Sequence, residues 1–445
     1  MNILFATEYF PPFAPGGSPW SIRLLAEALV RRGHAVTVVT PNYGAAARED
    51  VGGVAVVRFP FWRRLERGAS LAPIRDFVSP RFHWRLARAV AAEARRARAD
   101  VVHAQDKHAV VGSFLAARVL RRPVFVTLRD TGLICPIVTC LLSHDFVPKD
   151  CSALKLQREC AGFYLDHYIA PRGRPGAALR RARVRANLAL LYADARLKQA
   201  VLKRVDGLIG VSRGLLEIYL GAGRGRRAAA SVVYTLPPGP AAEPTGAGEV
   251  LRRRHGLDGR TTALYLGKLS LGKGGPVFLE AVRRVARERP DTVFVVVGPD
   301  RPPDVPGADV RWLGRLAHDE VQRLYGAVDF VVLPSVGPEA LSRIPLEAAV
   351  AGRPTIGARA GGIPEEIVHD ETGLLVRRND AEDLARAILA LVDDEARRLR
   401  LGRNARRFVG ERFAADSVVR ALLDVYAGAA PQGRVAAPPP GPRAG

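Results

Sequence analysis

Glu339 and Glu347, with seven residues between them, stand in the run PSVGPEALSRIPLEAAVAGRPTIGARAGG over positions 334–362. Two carboxylates so placed invite an acid/base reading. Their surroundings argue for another role. An apolar strand at 330–333 leads into the run, Ser342 can cap a helix, Pro345 falls in its first turn, and Gly352 with Pro354 ends it. The start of such a helix offers unpaired N–H groups and the positive end of its dipole to a phosphate. Carboxylates repel a phosphate, so they serve better as acceptors for hydroxyl groups. Phosphate donors at the centre and hydroxyl acceptors at the edge suit a nucleotide sugar.

Other residues could complete the site. GKLSLGKGG at 267–275 follows a strand; its glycines allow a tight turn, and Lys268 and Lys273 supply compact positive charge. These are the only lysines after position 204, in a chain where seven of 67 basic residues are Lys. A structural β-to-α turn is the plainer alternative. Gly361-Gly362-Ile363-Pro364-Glu365 forms a Gly-rich turn one strand after the Glu helix, hence beside it in a parallel sheet. Gly16-Gly17-Ser18, at a helix start, offers an opposing contact to phosphate or sugar. Arg129 and Asp130 end a strand, where open α/β sheets bind ligands, and could grip donor or acceptor sugar. A structural ion pair is the alternative there, and for His103 and His108 a packed histidine reads equally well.

Positioning these residues takes two α/β units. Strands are expected at 2–6, 35–40, 54–59, 101–104, 124–128 and 207–211, with helices that include 19–32 (Ser18 as cap) and 82–98. The rhythm restarts with strands at 263–266, 293–297, 310–313, 330–333, 355–358 and 373–376, then three closing helices. Continuous apolar strands alternating with helices mark parallel sheets covered on both faces. The expected architecture is α/β, two Rossmann-like doubly wound domains facing across a cleft. The first, acceptor-side domain takes 1–235, a Pro/Gly-rich linker 236–248 and the donor-binding domain 249–412. A closing helix at 413–427 packs back on the first domain, and a disordered tail fills 428–445.

The 445 residues are 48% hydrophobic and 25% charged, as in a soluble two-domain protein. No segment reads as a signal peptide, and Arg129 and Asp130 interrupt the longest apolar stretch, 123–142, so the expected compartment is the cytoplasm. A net charge of +23 invites a nucleic-acid reading, yet there is no concentrated basic patch with interleaved aromatics and no recognisable module; nucleic acid is not an expected partner. The run 172–185 holds six arginines and no acid ahead of a Leu-rich helix. It fits peripheral contact with an anionic membrane, at the inner face, as well as a solvated surface. Cys135, Cys140, Cys151 and Cys160 cluster without a CxxC spacing, which leaves open a metal or disulfide staple or packed thiols.

Over nearly its whole length the chain resembles retaining glycosyltransferases of family 4 (glycosyl transferases group 1), which have the GT-B fold. The resemblance runs through the N-terminal GG loop, RRGHAVTVVT (31–40), ADVVHAQD (99–106), RVDGLIGVS (204–212), the G-K-x-x-x-x-K-G loop, the E-x7-E element with its LEA-x-x-A-G-R-P, and GGIPEEIVHDETGLLV (361–376). It implies that Lys273, with Lys268 beside it, contacts a donor diphosphate; Glu339 holds sugar hydroxyls and Glu347 the ribose. Backbone amides of Leu341, Ser342 and Arg343 would cradle phosphate, and Gly16-Gly17 would close from the opposite domain. It further implies no metal and no cofactor beyond the nucleotide-sugar substrate. The acceptor would be a sugar, a lipid-linked or a small molecule, in cell-envelope, polysaccharide or natural-product synthesis. In that family retention is usually explained by front-face attack, a donor phosphate oxygen taking the acceptor's proton.

The chain departs from the family's pattern at Lys268, commonly Arg; at Ala340-Leu341-Ser342, frequently Gly-aromatic-Gly; and at Arg129, where many relatives have His. Two alternatives stand beside the transferase reading. One is a nucleotide-sugar epimerase of the same architecture, which needs an acid/base pair. The other is a basic membrane- or nucleic-acid-associated scaffold with a vestigial donor site.

Overall fold

The computed structural model describes residues 1–68, 70–137, 152–166, 176–224, 229–239 and 247–428. Cys140, Cys151, the arginines at 172 and 174, most of the expected linker and nearly all of the expected tail lie outside them.

Eight strands form the first sheet: β1 (Asn2–Ala6), β2 (Ala35–Asn42), β3 (Arg48–Val51), β4 (Val54–Pro60), β5 (Val101–Ala104), β6 (Val124–Leu128), β7 (Gly207–Gly210) and β8 (Ala230–Val232). Their order is β3-β4-β2-β1-β5-β6-β7-β8. All pairings are parallel except β3 with β4. The second sheet holds β9 (Thr262–Leu266), β10 (Val293–Val297), β11 (Asp309–Trp312), β12 (Phe330–Leu333), β13 (Thr355–Ala358) and β14 (Gly373–Val376). It is wholly parallel, in the order β11-β10-β9-β12-β13-β14. Every residue of β5, β6, β7, β10, β12, β13 and β14 is buried, which explains their unbroken apolar runs.

Two strands escape the sequence patterns. β3 reads REDV and lies at a sheet edge, where charged side chains face water; β8 is three residues long. One helix begins earlier than expected. It runs Gly17–Val30, with Gly16 rather than Ser18 at the N-cap and no side-chain cap. Pro19 lacks an N–H and so fits inside a first turn, where none is required. Ser18 is thereby drawn into the helix, and the helix start is left without a capping oxygen.

Strand order reverses direction at β1/β5 in the first sheet and at β9/β12 in the second, and crevices for ligands open at such reversals. Val332 of β12 stands opposite Tyr265 of β9, so the loops leaving these two strands start level with each other. The last helix, Ala415–Tyr426, returns to the first domain. Its Val418, Val419, Leu422, Val425 and Tyr426 share one core with Ile3, Phe5, Ile22, Phe125 and Ile209.

Candidate functional site

The Lys loop leaves β9 and the Glu loop leaves β12, at the second sheet's reversal. Tyr265, buried at the end of β9, donates its hydroxyl to the carbonyls of Lys268 (2.7 Å) and Lys273 (3.2 Å), pinning the Lys loop at both ends. Amides of Val336 and Gly337 donate to the Gly272 carbonyl at 3.0 and 2.8 Å, which joins the two loops. Gly274 has φ of +72°, and a Cβ there would lie 1.9 Å from the Pro334 carbonyl oxygen. Only glycine permits that approach.

The junction brings Lys273 Nζ to 2.6 Å from Glu339 Oε1, an oxygen that also accepts from Ser335 Oγ at 2.6 Å. Lys268 is exposed on the same loop and makes no ion pair among the described residues. Ser342 caps the helix Arg343–Val350 as expected, its Oγ accepting from the Ile344 amide at 3.3 Å. Its own amide is already engaged, donating to Glu366 Oε2 at 2.9 Å. Of the three amides expected to cradle phosphate, those of Leu341 and Arg343 are left. Glu366 is buried, and burial pushes its carboxyl well above the usual range, with Glu339 and Glu365 adding to the rise.

Glu347 is buried one turn along that helix. Its Oε2 accepts from Tyr325 OH at 3.0 Å, and its Oε1 accepts from Arg343 Nε at 2.9 Å. Arg343 reaches across the cleft as well, donating from a terminal nitrogen to Ser21 Oγ at 3.2 Å. Gly17 lies against the Arg343 stem, whereas Gly16 has open space where a side chain would be. Nearby, the rings of Trp20 and His318 stack across the cleft, centroids 4.6 Å apart and 15° from parallel.

The Gly-rich turn closes the seam. Gly361 has φ of +59°, and a Cβ there would meet the Glu339 carbonyl oxygen at 2.0 Å. The Gly362 amide donates to that same carbonyl at 2.8 Å. Glu365 then crosses to the first domain. Its oxygens accept from the amides of Arg213 (2.9 Å) and Gly214 (2.8 Å), capping the helix Arg213–Gly221, and from Tyr234 OH at 3.0 Å.

Across the cleft, Arg129 and Asp130 do not pair with each other. Arg129 donates to the Gln105 carbonyl (2.8 Å) and Gln105 Oε1 (2.7 Å), while Asp130 accepts from Lys107 Nζ at 2.7 Å. Burial brings the Arg129 guanidinium down to about 10; Asp106 opposes that shift and Arg343 reinforces it. Asp106 is a loop staple, accepting from Thr7, Glu8, His108 and Ala109. His103 is a packed histidine between Tyr426 OH (2.6 Å) and Thr127 Oγ1 (2.7 Å), and burial lowers it to about 3. His108 is likewise buried, stacked on Phe77 and 3.2 Å from Lys198 Nζ. Among the described residues no three His, Cys, Asp or Glu side chains group as a metal site.

Sequence reasoning missed Ser335, Tyr325, Trp20, His318 and Glu366, and the use of Arg343 as a side chain. The second glutamate of PEE was the one available signal, as a repeated acid beside an apolar turn.

Residues 16–235 match the model of a glycosyl transferase 4-like domain, and residues 260–394 that of glycosyl transferases group 1. The chain is 33% identical to D-inositol 3-phosphate glycosyltransferase of Corynebacterium kroppenstedtii over 192 residues, 39% of this chain and 42% of that protein. It is 30% identical to spore coat protein SA of Bacillus subtilis over 194 residues, 40% of this chain and 52% of that protein. The chain thus spans about half the length of the curated relatives it matches. In fold it is similar to Anabaena HepE in complex with UDP, with a TM-score of 0.63 and 20% identity over 96% of this chain and all of the other. It is also similar to the catalytic domain of starch synthase IV from Arabidopsis thaliana, with a TM-score of 0.69 and 15% identity, covering 97% of this chain and 99% of that one. Both domain models follow one another in chain order on this two-sheet architecture, which is the GT-B fold.

Proposed function

We propose that the protein is a retaining glycosyltransferase of the family-4 type. It moves a sugar from a nucleotide-diphosphate donor to an acceptor in cell-envelope, polysaccharide or natural-product synthesis. The observation that carries the reading is the Lys273–Glu339 contact at the β9/β12 reversal, one loop away from Glu347. Lys273, Lys268 and the free amides of Leu341 and Arg343 take the diphosphate; Glu339 takes sugar hydroxyls and Glu347 the ribose. HepE, solved with UDP-glucose, and starch synthase IV, bound to ADP, support a nucleotide-sugar donor.

In this mechanism the acceptor hydroxyl attacks the anomeric carbon from the face the diphosphate leaves. The C–O bond to phosphate breaks with its electron pair on the phosphate oxygen, and a donor phosphate oxygen receives the acceptor's proton. Lysine charge and amide dipoles turned to the departing charge lower the barrier. Holding both substrates in the cleft supplies the rest. No metal is required, because cationic side chains hold the diphosphate.

A membrane contact is part of the same proposal. Leu179, Leu190 and Leu197 are exposed in line on the helix Ala177–Leu202, with Arg180, Arg183 and Arg196 exposed beside them. The helix's one acid, Asp194, turns inward to Lys198 at 2.5 Å. An apolar stripe flanked by cations alone suits an anionic lipid surface. Among the described residues no helix is long and apolar enough to cross a membrane.

Calorimetry with UDP-, GDP- and ADP-sugars, with and without EDTA, tests the donor reading. Binding of one of them, unchanged by EDTA, is the expected result; no binding of any overturns it.

A further inference from the structure

Arg343 lies where a donor must go, and its side chain is engaged on all sides without one. Its guanidinium pairs with Glu347 at 2.9 Å while reaching Ser21 Oγ at 3.2 Å in the other domain. Its stem crosses the space in front of Gly17, where a Cβ would fall 2.5 Å from Cδ. The pair is nearly sealed, the Arg343 and Glu347 side chains being 10% and 6% exposed. Tyr325 holds the remaining Glu347 oxygen. While Arg343 stays, Glu347 has neither a free face nor access for ribose hydroxyls.

Charge points the guanidinium elsewhere. On its far side Arg343 acts on Arg129, and no carboxylate among the described residues pairs with Arg129. Two guanidinium groups share this part of the cleft, and the carboxylates that offset them are already engaged, Glu347 by Tyr325 and Arg343, Asp106 by the Thr7 hydroxyl and three backbone amides. A buried guanidinium with no carboxylate in contact is costly, and an anion with several oxygens relieves it. A guanidinium also matches phosphate oxygens with two parallel N–H bonds, as a lysine cannot. Since Arg343 opens its helix, its side chain springs from the same turn whose amide faces the phosphates.

We propose that the Arg343 side chain binds the donor diphosphate, and that its move from Glu347 to the phosphates is what opens Glu347 to the ribose. The proposal rests on the donor reading above. It makes Arg343 a binding residue that exchanges one anion for another, and it makes Gly17 the residue that leaves the path clear.

The test compares wild type, Arg343→Leu and Arg343→Lys by calorimetry with UDP, GDP and ADP and with the matching monophosphates. Melting temperatures of the three proteins confirm folding. For the base that the wild type selects, Arg343→Leu should weaken the diphosphate by about tenfold or more. The monophosphate should bind as tightly as before or more tightly, since Glu347 is released. Arg343→Lys should recover part of the diphosphate loss. Equal diphosphate affinity in wild type and Arg343→Leu overturns the proposal. So does an equal loss for diphosphate and monophosphate, which would make Arg343 a mere prop for Glu347. A wild type that binds none of the nucleotides overturns the donor reading itself, and this one with it.

Discussion

Lys273 Nζ lies 2.6 Å from Glu339 Oε1, so a lysine from the loop after β9 and a carboxylate from the loop after β12 hold each other across the β9/β12 reversal. The lysine is half-exposed and the glutamate largely covered, with side-chain exposures of 47% and 15%. The pair therefore keeps its cation at the mouth and its anion within. On the proposed donor reading, a diphosphate arriving from solvent meets the ammonium first.

Lys273→Ala should weaken nucleotide-diphosphate binding by roughly 1.5–3 kcal/mol, the range for a hydrogen bond to a charged group. Melting temperature should change little, because a half-exposed ion pair contributes at most about 1 kcal/mol to stability. Calorimetry and a thermal melt on the same sample separate the two effects.

Two glycine substitutions should behave oppositely. Gly17→Ala sits in helical backbone, where alanine is favoured by about 0.5–1 kcal/mol, but its methyl meets the Arg343 stem. Stability should hold while diphosphate affinity changes. Gly361→Ala must take a left-handed φ and meets the Glu339 carbonyl, so it should lower stability by ~2 kcal/mol or more. Urea melts of both variants check the contrast.

Glu366 should give the protein a pH-dependent weakness. Its folded-state pKa is raised above 4.5 by burial, so the neutral acid is favoured in the fold. The stability it contributes is full below 4.5 and is lost as pH rises through the raised value. Glu366→Gln stays neutral and keeps an oxygen for the Ser342 amide. Relative to wild type, its melting temperature should gain between pH 5 and pH 8; a constant difference between the proteins would refute the assignment.

Co-sedimentation with vesicles checks the Leu/Arg face. Vesicles rich in phosphatidylglycerol should bring the protein down at low salt, and neutral phosphatidylcholine vesicles should not. Replacing Leu179, Leu190 and Leu197 together by Gln should abolish the effect. Wild-type protein that stays in the supernatant with both vesicle types removes the membrane contact.

Much of the fold is legible because buried parallel strands leave long apolar runs. β1, β5, β6, β10, β12, β13 and β14 fall on the expected residues. β3 and β8 are not legible, because an edge strand of charged residues and a three-residue strand carry no such run. In the site, Lys268, Lys273, Glu339 and Glu347 announce themselves by residue type and spacing. Tyr325, Trp20 and His318 do not, since they reach the cleft from helices whose other faces are ordinary core. Arg343 was visible only as the donor of a backbone amide. Its side chain acquires meaning from Gly17 and Ser21, more than 300 positions away, which no local pattern encodes.

Tyr426 places its hydroxyl 2.6 Å from His103, inside the first domain's core. That core waits on Val418, Val419, Leu422 and Val425 as well. Residues 2–232 alone hold every strand of the first sheet, yet the part of one face that the last helix covers stays open until nearly 200 further residues have been made. The two domains thus cannot mature in order of synthesis. The second domain must emerge complete before the first is sealed, and a nascent chain halted between them presents Phe125, the ring that Tyr426 covers, to whatever apolar surface is nearest.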